Sequence, residues 1–375
     1  MRLLIVLAIG AAFFFLQGLI FKKNWYKGLD VDIDFEKHLV REGDKNTLVE
    51  VIKNDKFLPL PVVLVKISLT RTFLFPKETN ASVTDMYYRK EYFTLRPYQI
   101  VTRKYPFTAS KRGEYSITSV DLLCKDYFLV QNANAVVKNN STVLVLPGRI
   151  RESEIPKNFL LIAGELVSRI KFTEDPFSFK ALREYQPYDP MNHINWKATA
   201  RGGDIFVNTY HTTNRRNVIL LLNMETDTIR RGDVVMEAAI KIASFLAGYF
   251  VGEQIPVALY TNGCDVDSGE CVGIDAGCDE GHARQIDIAL ARIQVKDFYK
   301  SFTKIMEEHI KEDEPLSEYI LISNNRSEEI IRRFSEYQQS GYRMTYLVPE
   351  HEAVSIKPLE DNGRDILKWG IDHER

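Results

Sequence analysis

The chain has 375 residues, of which 45% are hydrophobic and 27% charged, and a formal net charge of -2 at pH 7. This length exceeds that of a usual single domain and predicts two globular units, and the composition is ordinary for a folded protein. The small net charge excludes a global field that would recruit nucleic acid. We expect no nucleic-acid partner, since the sequence has neither an RNA-binding aromatic motif nor a DNA-binding zinc finger.

The first predicted element is an uncharged run over residues 3–21, interrupted only by glycines and Gln17. At about 1.5 Å per residue, a helix of this length crosses the apolar core of a bilayer. The run ends in Lys22 and Lys23 and lacks a small-residue cleavage site, so residues 1–23 are predicted to be an uncleaved anchor rather than a signal peptide. These lysines favour a single-pass protein with most of the chain in the cytoplasm.

A β pattern follows over residues 30–148. Branched residues dominate segments that turn-forming residues separate, for example 48–52, 62–67 and 143–146. Several short strands without intervening helices predict an all-β sandwich of immunoglobulin-like type. Residues 151–205 are expected to form a connector that contains one amphipathic helix over residues 160–170.

Strand and helix patterns alternate over residues 206–350. The continuous apolar run at 218–222 predicts a strand buried on both faces of its sheet. The alternation predicts an α/β domain with a doubly wound, mostly parallel sheet. Residues 351–375 are expected to form a C-terminal tail. The other predicted strands are 257–260, 271–274, 319–323 and 344–348, and the predicted helices are 234–251, 282–293 and 328–338.

The stretch of residues 183–201, the signature segment, reads REYQPYDPMNHINWKATAR. Its three aromatics, five charges and two prolines are not typical of a simple core element. Asp189 and Pro190 predict a helix start, because a carboxylate caps free N–H groups and proline suits the first helical position. Trp196 and Lys197 would then lie near the end of this helix.

The signature segment resembles that of the DUF 58 family, von Willebrand A-like proteins often encoded beside MoxR-type AAA+ ATPases. The family pattern is approximately R-x-Y-x-x-G-D-x-x-R-x-I-D-W-K-x-x-A-R. Tyr188, Asn192 and Asn195 stand where that pattern has glycine, arginine and aspartate. The matching residues are Arg183, Tyr185, Asp189, Ile194, Trp196, Lys197, Ala200 and Arg201.

The resemblance implies a von Willebrand A-like fold for the α/β domain, no established catalysis, and a MoxR-like AAA+ ATPase with a client protein as partners. It implies a binding segment formed by Arg183, Tyr185, Asp189, Trp196, Lys197 and Arg201. A second interpretation is structural: the cations pair with Glu184, Asp189 or Asp204, and Trp196 packs as a partly buried anchor.

A von Willebrand A fold often holds magnesium on a D-x-S-x-S loop after its first strand, with a further aspartate after a later strand. Here the first loop reads NMETD over residues 223–227, and the later strand ends in Ser323, Asn324 and Asn325. Magnesium prefers charged hard oxygens to neutral amide carbonyls, so we expect no cofactor. Asn223, Glu225 and Asp227 are the candidates for an atypical magnesium site; alternatively, Asn223 and Asp227 satisfy a loop and cap the next helix.

Four cysteines are too few for a disulfide scaffold of this size. Cys264, Cys271, Cys278 and His282 lie close in sequence, but this cysteine spacing does not fit a zinc knuckle. We expect free thiols. The acidic residues around them predict a solvated loop or a docking surface for a basic partner.

The sequence therefore predicts a membrane-anchored adaptor for protein–protein interaction, working with a MoxR-like ATPase in complex assembly or maturation. The alternatives are a metal-dependent hydrolase using the 223–227 loop, a redox-sensing enzyme using the cysteines, and an exported adhesion module. We expect no ATPase activity in this chain, because Arg201-Gly202-Gly203 is too short for a phosphate loop.

Overall fold

The structure is a computed structural model. It describes residues 2–76, 81–83, 87–171, 174–186, 191, 194–202, 204–212, 217–225, 232–266, 268–279, 281–298, 300–310, 317–350 and 366–370. The chain divides into two compact units, Met1–Gly148 and Arg149–Arg375.

In its described residues, the first unit begins with helix α1 (Arg2–Asn24) and continues with ten strands. Their order is β1-β3-β8-β5 in one sheet and β2-β10-β9-β4-β7-β6 in the other. The paired strands are antiparallel except for β2 and β10. The strands are β1 (Leu29–Phe35), β2 (Leu39–Arg41), β3 (Lys45–Asn54), β4 (Leu60–Leu69), β5 (Phe73–Leu74), β6 (Ala81–Val83), β7 (Tyr87–Leu95), β8 (Ile100–Ala109), β9 (Gly113–Lys125) and β10 (Asn132–Leu146).

These two sheets form a β-sandwich around one apolar core. Buried and less buried residues alternate along β3 and β4, as expected where one face of a sheet packs inward. Phe35, Phe73 and Phe107 form an aromatic cluster in this core. Phe21 and Trp25 belong to the same core, so the end of α1 is packed into the sandwich.

The second unit contains a seven-stranded sheet and a separate two-stranded ribbon of β11 and β12. Its helices are a 3-10 turn (Glu152–Glu154), α2 (Lys157–Lys171), α3 (Trp196–Gly202), α4 (Gly232–Gly252), α5 (His282–Arg292), α6 (Phe302–His309) and α7 (Glu328–Gln339). Its strands are β11 (Glu174–Glu184), β12 (Phe206–Thr212), β13 (Val218–Leu222), β14 (Val257–Asp265), β15 (Cys271–Gly277), β16 (Ile293–Phe298), β17 (Glu318–Ile322), β18 (Arg343–Glu350) and β19 (Ile366–Gly370).

The large sheet has the order β15-β14-β13-β17-β18-β19, and β16 also pairs with β14. The strands from β14 to β19 in this order are parallel, whereas β15 and β16 are antiparallel to β14. Residues of α2, α4 and α5 share one core cluster, and residues of α6 and α7 share another. Leu220 belongs to the first cluster and Ile219 to the second, so β13 is buried on both faces, as predicted.

One described helix, Asp233–Gly252, is long and apolar enough to cross a membrane. Of this segment, 72% is buried within the protein. Its residues Ala239, Leu246 and Phe250 belong to the core cluster of the second unit. A helix buried to this extent is typical of the central helix in an α/β layer.

Two features differ from the sequence predictions. Residues 366–370, placed in a C-terminal tail, form β19, which pairs in parallel with β18 and buries Trp369. Trp196, predicted near the end of a helix, is the first residue of α3.

Candidate functional site

Helix α3 carries the second half of the signature segment and is held firmly against β12. Asn195 precedes the helix, and its side-chain oxygen accepts a hydrogen bond from the N–H of Ala198 at 2.9 Å. This is N-terminal capping by asparagine. The Asn195 amide also donates to the side-chain oxygen of Asn208 at 2.8 Å, which a carboxylate could not do. Asparagine at this position, where the DUF 58 pattern has aspartate, therefore suits a local asparagine pair.

The ribbon and α3 share further contacts. The Asn195 N–H donates to the carbonyl of Phe206, and the Phe206 N–H donates to the hydroxyl of Thr199 at 3.1 Å. Ile194 and Val207 form an isolated bridge and are both buried. The helix is thus fixed by main-chain and side-chain bonds that do not involve Trp196.

Trp196 is 67% exposed, so the interpretation of this residue as a partly buried packing anchor is wrong. Lys197 and Arg201 are exposed on the same helix. Within the described residues, neither of these cations forms an ion pair with Glu184 or Asp204. Large apolar side chains exposed on the ribbon or near α3 are Leu182, Met191 and Ile205.

The other signature residues lie at the ribbon. Arg183 is an exposed residue of β11 and donates to the carbonyl of Glu184 at 3.1 Å. Tyr185 is half-buried, and its N–H donates to the carbonyl of Ile205. The ribbon and α3 thus carry every described member of the predicted binding set. Asp189 and Pro190, with the helix start assigned to them, lie outside the described residues.

A second cluster lies where β13 and β17 end. These neighbouring strands are connected to helices on opposite faces of the sheet, and in such folds ligands bind at the carboxyl ends of the strands at this point. Asn223 follows β13, Ser323 follows β17, and Asn262 lies in β14 beside them. All three side chains are buried.

Hydrogen bonds link the members of this switch-point cluster to one another. The Asn223 amide donates to the Ser323 hydroxyl at 3.0 Å, and its oxygen accepts from the Glu225 N–H at 2.8 Å. Asn262 accepts from the Met224 N–H at 2.8 Å and donates to Asn223 at 3.3 Å. Neutral amides thus satisfy the buried main-chain and side-chain groups of this edge.

Glu225 serves as a structural acceptor in this cluster. One of its oxygens accepts the N–H of Phe302, the first residue of α6, at 2.8 Å, where a carboxylate is favourable. The same oxygen accepts from Asn262 at 3.3 Å. The candidate magnesium ligands Asn223 and Glu225 therefore lie together in this network, whereas Asp227 lies outside the described residues.

We did not predict Asn262 as a residue of this site, because the strand was predicted to end at Tyr260. In the structure, β14 continues to Asp265. A polar Thr261-Asn262 pair after an apolar strand was the available signal. The N–H of Gly263 is satisfied by the hydroxyl of Thr261 at 3.0 Å.

The cysteine-rich region forms no metal site in the described part of the chain, where no group of three His, Cys, Asp or Glu side chains is placed to hold a metal ion. None of the four cysteines forms a disulfide. Cys264 and Cys271 are register partners on β14 and β15, as the predicted hairpin allowed. A nitrogen of the buried His282 ring lies 2.6 Å from the carbonyl oxygen of Val257, so this histidine has a structural partner.

No family model and no curated protein matches the chain. Solved structures do resemble about a third of it. A CARDB domain from Pyrococcus furiosus has 14% identity, a TM-score of 0.21, and coverage of 32% of this chain and 96% of its own. A cohesin from Clostridium thermocellum, solved in a cohesin–dockerin complex, has 12% identity, a TM-score of 0.22, and coverage of 31% and 99%. A non-cellulosomal cohesin from Archaeoglobus fulgidus has 10% identity, a TM-score of 0.22, and coverage of 31% and 91%.

Proposed function

We propose that this chain is a membrane-anchored adaptor of the DUF 58 type, whose signature segment contacts a partner protein. The partner is a MoxR-like AAA+ ATPase, which acts with this chain on a client in complex assembly or maturation. The exposure of Trp196 on a helix that is fixed without it carries the proposal.

The chemistry of this helix suits a protein contact. Tryptophan and arginine are enriched among the residues that dominate binding energy at protein interfaces. Here Trp196 and Arg201 lie on one short helix, with Lys197 beside them, and all three are exposed. A helix held by its cap and its strand presents these side chains with little ordering cost on binding.

The doubly wound sheet of the second unit supports a von Willebrand A-like assignment, and the two-sheet sandwich supports an immunoglobulin-like one. Numbered along the chain without β16, the large sheet has the order 3-2-1-4-5-6, a common doubly wound order. These assignments are part of the proposal, as is membership of the DUF 58 family.

The proposed anchor is α1, with the bulk of the chain in the cytoplasm. Arg2–Asn24 is one continuous helix, and most of its described apolar side chains are exposed. Leu7 and Phe15, for example, lie on its open surface. An apolar helix surface of this kind is favourable in lipid and unfavourable in water.

The test is crosslinked affinity purification of the full-length protein from its native membrane, read by quantitative mass spectrometry. We expect Trp196→Ala to reduce recovery of the ATPase on the order of tenfold or more, as loss of an interface hot spot does. Because Trp196 is exposed, we expect the same variant to change the free energy of unfolding by less than about 1 kcal/mol.

Leu161→Ala is the matched control, because Leu161 is 75% exposed on α2 of the same unit and lies outside the signature segment. This control should leave recovery unchanged. Full recovery with Trp196→Ala would overturn the contact, and absence of the ATPase from the wild-type sample, while a known membrane complex is retained, would overturn the partner.

The metal-dependent hydrolase has less support. Glu225, its remaining described carboxylate, is committed to the start of α6 and to Asn262. The only hydroxyl of the switch-point cluster, on Ser323, is buried and bonded to an asparagine rather than to a base.

A further inference from the structure

An apolar turn joins β9 to β10 in the first unit. Its residues 127–130 read Tyr-Phe-Leu-Val, and each side chain is about half exposed or more. Four consecutive exposed apolar residues at the tip of a hairpin are costly in water. Their exposure indicates that water is not the native environment of this turn.

The turn lies beside the proposed membrane helix. The rings of Phe128 and Phe14 are 5.1 Å apart between centroids. A Cβ on Gly18 would come within 2.5 Å of the Gln131 side chain, so the end of the turn packs directly on the α1 backbone. The hairpin therefore follows α1 away from the sandwich.

The contact fixes the depth of the turn relative to the lysines that end α1. Phe14 precedes Lys22 by eight residues, which corresponds to about 12 Å along a helix. If Lys22 and Lys23 lie at the headgroups, Phe128 lies well inside the apolar layer. A helix inserted as far as Phe21 brings the turn into the membrane with it.

The main chain of the turn suits that environment, where unpaired polar groups are costly. The carboxylate of Asp126, which is 1% exposed, accepts the N–H groups of Val130 at 2.9 Å and Gln131 at 3.1 Å. The Leu129 N–H donates to the Asp126 carbonyl, and the Asp126 N–H donates to the Gln131 carbonyl. The N–H groups of Asp126, Leu129, Val130 and Gln131 are thus bonded within the turn.

We propose that residues 127–130 insert into the same bilayer as α1, which gives the sandwich a second attachment to lipid. This inference rests on the proposed anchor. Insertion of a short apolar loop beside this packed helix gives the sandwich two contacts with the bilayer, which together set its distance and orientation relative to the membrane.

The test uses full-length protein reconstituted in phosphatidylcholine–phosphatidylglycerol liposomes, with the photoreactive residue p-benzoyl-phenylalanine at one position at a time. The positions are Phe128 in the turn, Phe13 on the exposed surface of α1, and Leu74 as the control. Leu74 is 55% exposed and pairs with Thr108 near one end of β8, whereas the other end of β8 pairs through Lys53 with Asp30, which follows α1. Lipid adducts are counted by mass spectrometry after illumination.

We expect lipid adducts at positions 13 and 128, with at least a tenfold lower yield at position 74. Adducts at 13 but not above the level of position 74 at 128 would overturn the insertion of the turn and leave the anchor intact. Adducts at 128 without adducts at 13 would overturn α1 as the anchor and, with it, insertion of the turn beside α1. Adducts at neither position would overturn both.

Discussion

Glu50 shows how one buried charge shapes the sandwich. It lies in the inward-facing series of β3 and is fully buried. Burial raises its pKa from 4.5 to about 7, and the nearby Glu91 acts in the same direction. The Tyr105 hydroxyl donates to one Glu50 oxygen at 2.9 Å and acts against this rise. The other oxygen has no hydrogen-bond partner among the described residues.

Two arginines surround the carboxylate of Glu91, which lies near Glu50. Arg89 and Arg103 approach Glu91 at 2.9 and 3.0 Å. The Arg89 guanidinium also lies 3.8 Å from the centre of the Tyr105 ring. Glu91 is thus paired twice, whereas Glu50 has only a tyrosine, so Glu50 is the group whose ionisation costs the fold free energy.

The pH dependence follows from the sign of this shift. The pKa of Glu50 is higher in the folded state, so between about pH 4.5 and 7 the folded protein binds more protons than the unfolded one. The contribution of this group to stability is therefore largest below pH 4.5 and falls as pH rises to 7, by on the order of 3 kcal/mol. We expect Glu50→Gln to remove most of this fall.

The measurement uses Cys124, a fully buried thiol of the sandwich core. Protein equilibrated in urea at pH 5 or 8 is pulsed with a thiosulfonate reagent, and labelling is normalised to unfolded protein at the same pH. Glu36→Gln, at an exposed carboxyl of the same unit, should leave the fall in place. An identical fall in Glu50→Gln would show that another group causes it.

The chemical properties of a candidate site residue could be predicted where the local sequence alone determines them. The neutral oxygens at Asn223 and Asn325 were evident from the sequence, because an amide carries no charge, and the absence of a magnesium site stays a prediction. The exposure of Trp196 was not evident, since aromatic residues next to charges occur both in cores and at interfaces. Only the placement of α3 against β12 shows that Trp196 is exposed and does not lie in a core.

At the scale of elements, β19 is the clearest addition to what the sequence indicated. Its Trp369 is 1% exposed and packs against Phe159 of α2, with ring centroids 4.7 Å apart, and against Phe245 of α4. The strand therefore joins the sheet edge to the helices that cover it.

We expect Trp369→Ala to lower the free energy of unfolding of the second unit by about 3–5 kcal/mol, the usual cost of removing a large buried aromatic side chain. Labelling of the buried Cys264 in urea reports this unit. Lys368→Ala, on the same strand but exposed, should cost less than about 1 kcal/mol. Equal midpoints for Trp369→Ala and the wild-type protein would show that β19 adds nothing to the core.

Element prediction succeeded where periodicity was strong and failed where tertiary contacts decide. The strand predicted at 218–222 is β13, and the helix predicted at 234–251 lies within α4. β19 is five residues long and forms on the edge of a parallel sheet, so the alternation of Leu367, Lys368 and Trp369 is too short to identify it as a strand. The ribbon of β11 and β12 was hidden in the same way by the polar signature segment.

At the scale of the whole molecule, the two units have separate cores. The cluster that contains Cys124 draws on the first unit alone, and the clusters on the two faces of the large sheet draw on the second. We therefore expect two unfolding midpoints in urea, one for labelling of Cys124 and one for labelling of Cys264, with Trp369→Ala shifting only the latter. Coincident midpoints that shift together would show a single cooperative fold.

The packing of α1 has a practical consequence for anyone who removes the hydrophobic N-terminus to obtain a soluble fragment. Phe21 and Trp25 lie in the sandwich core, and Lys56 bonds to the carbonyl oxygens of Trp25 and Lys27. A fragment that starts at residue 28 would lose all of these contacts and open the end of the sandwich to solvent. The natural cutting point lies before Phe21, because the end of α1 belongs to the core of the sandwich.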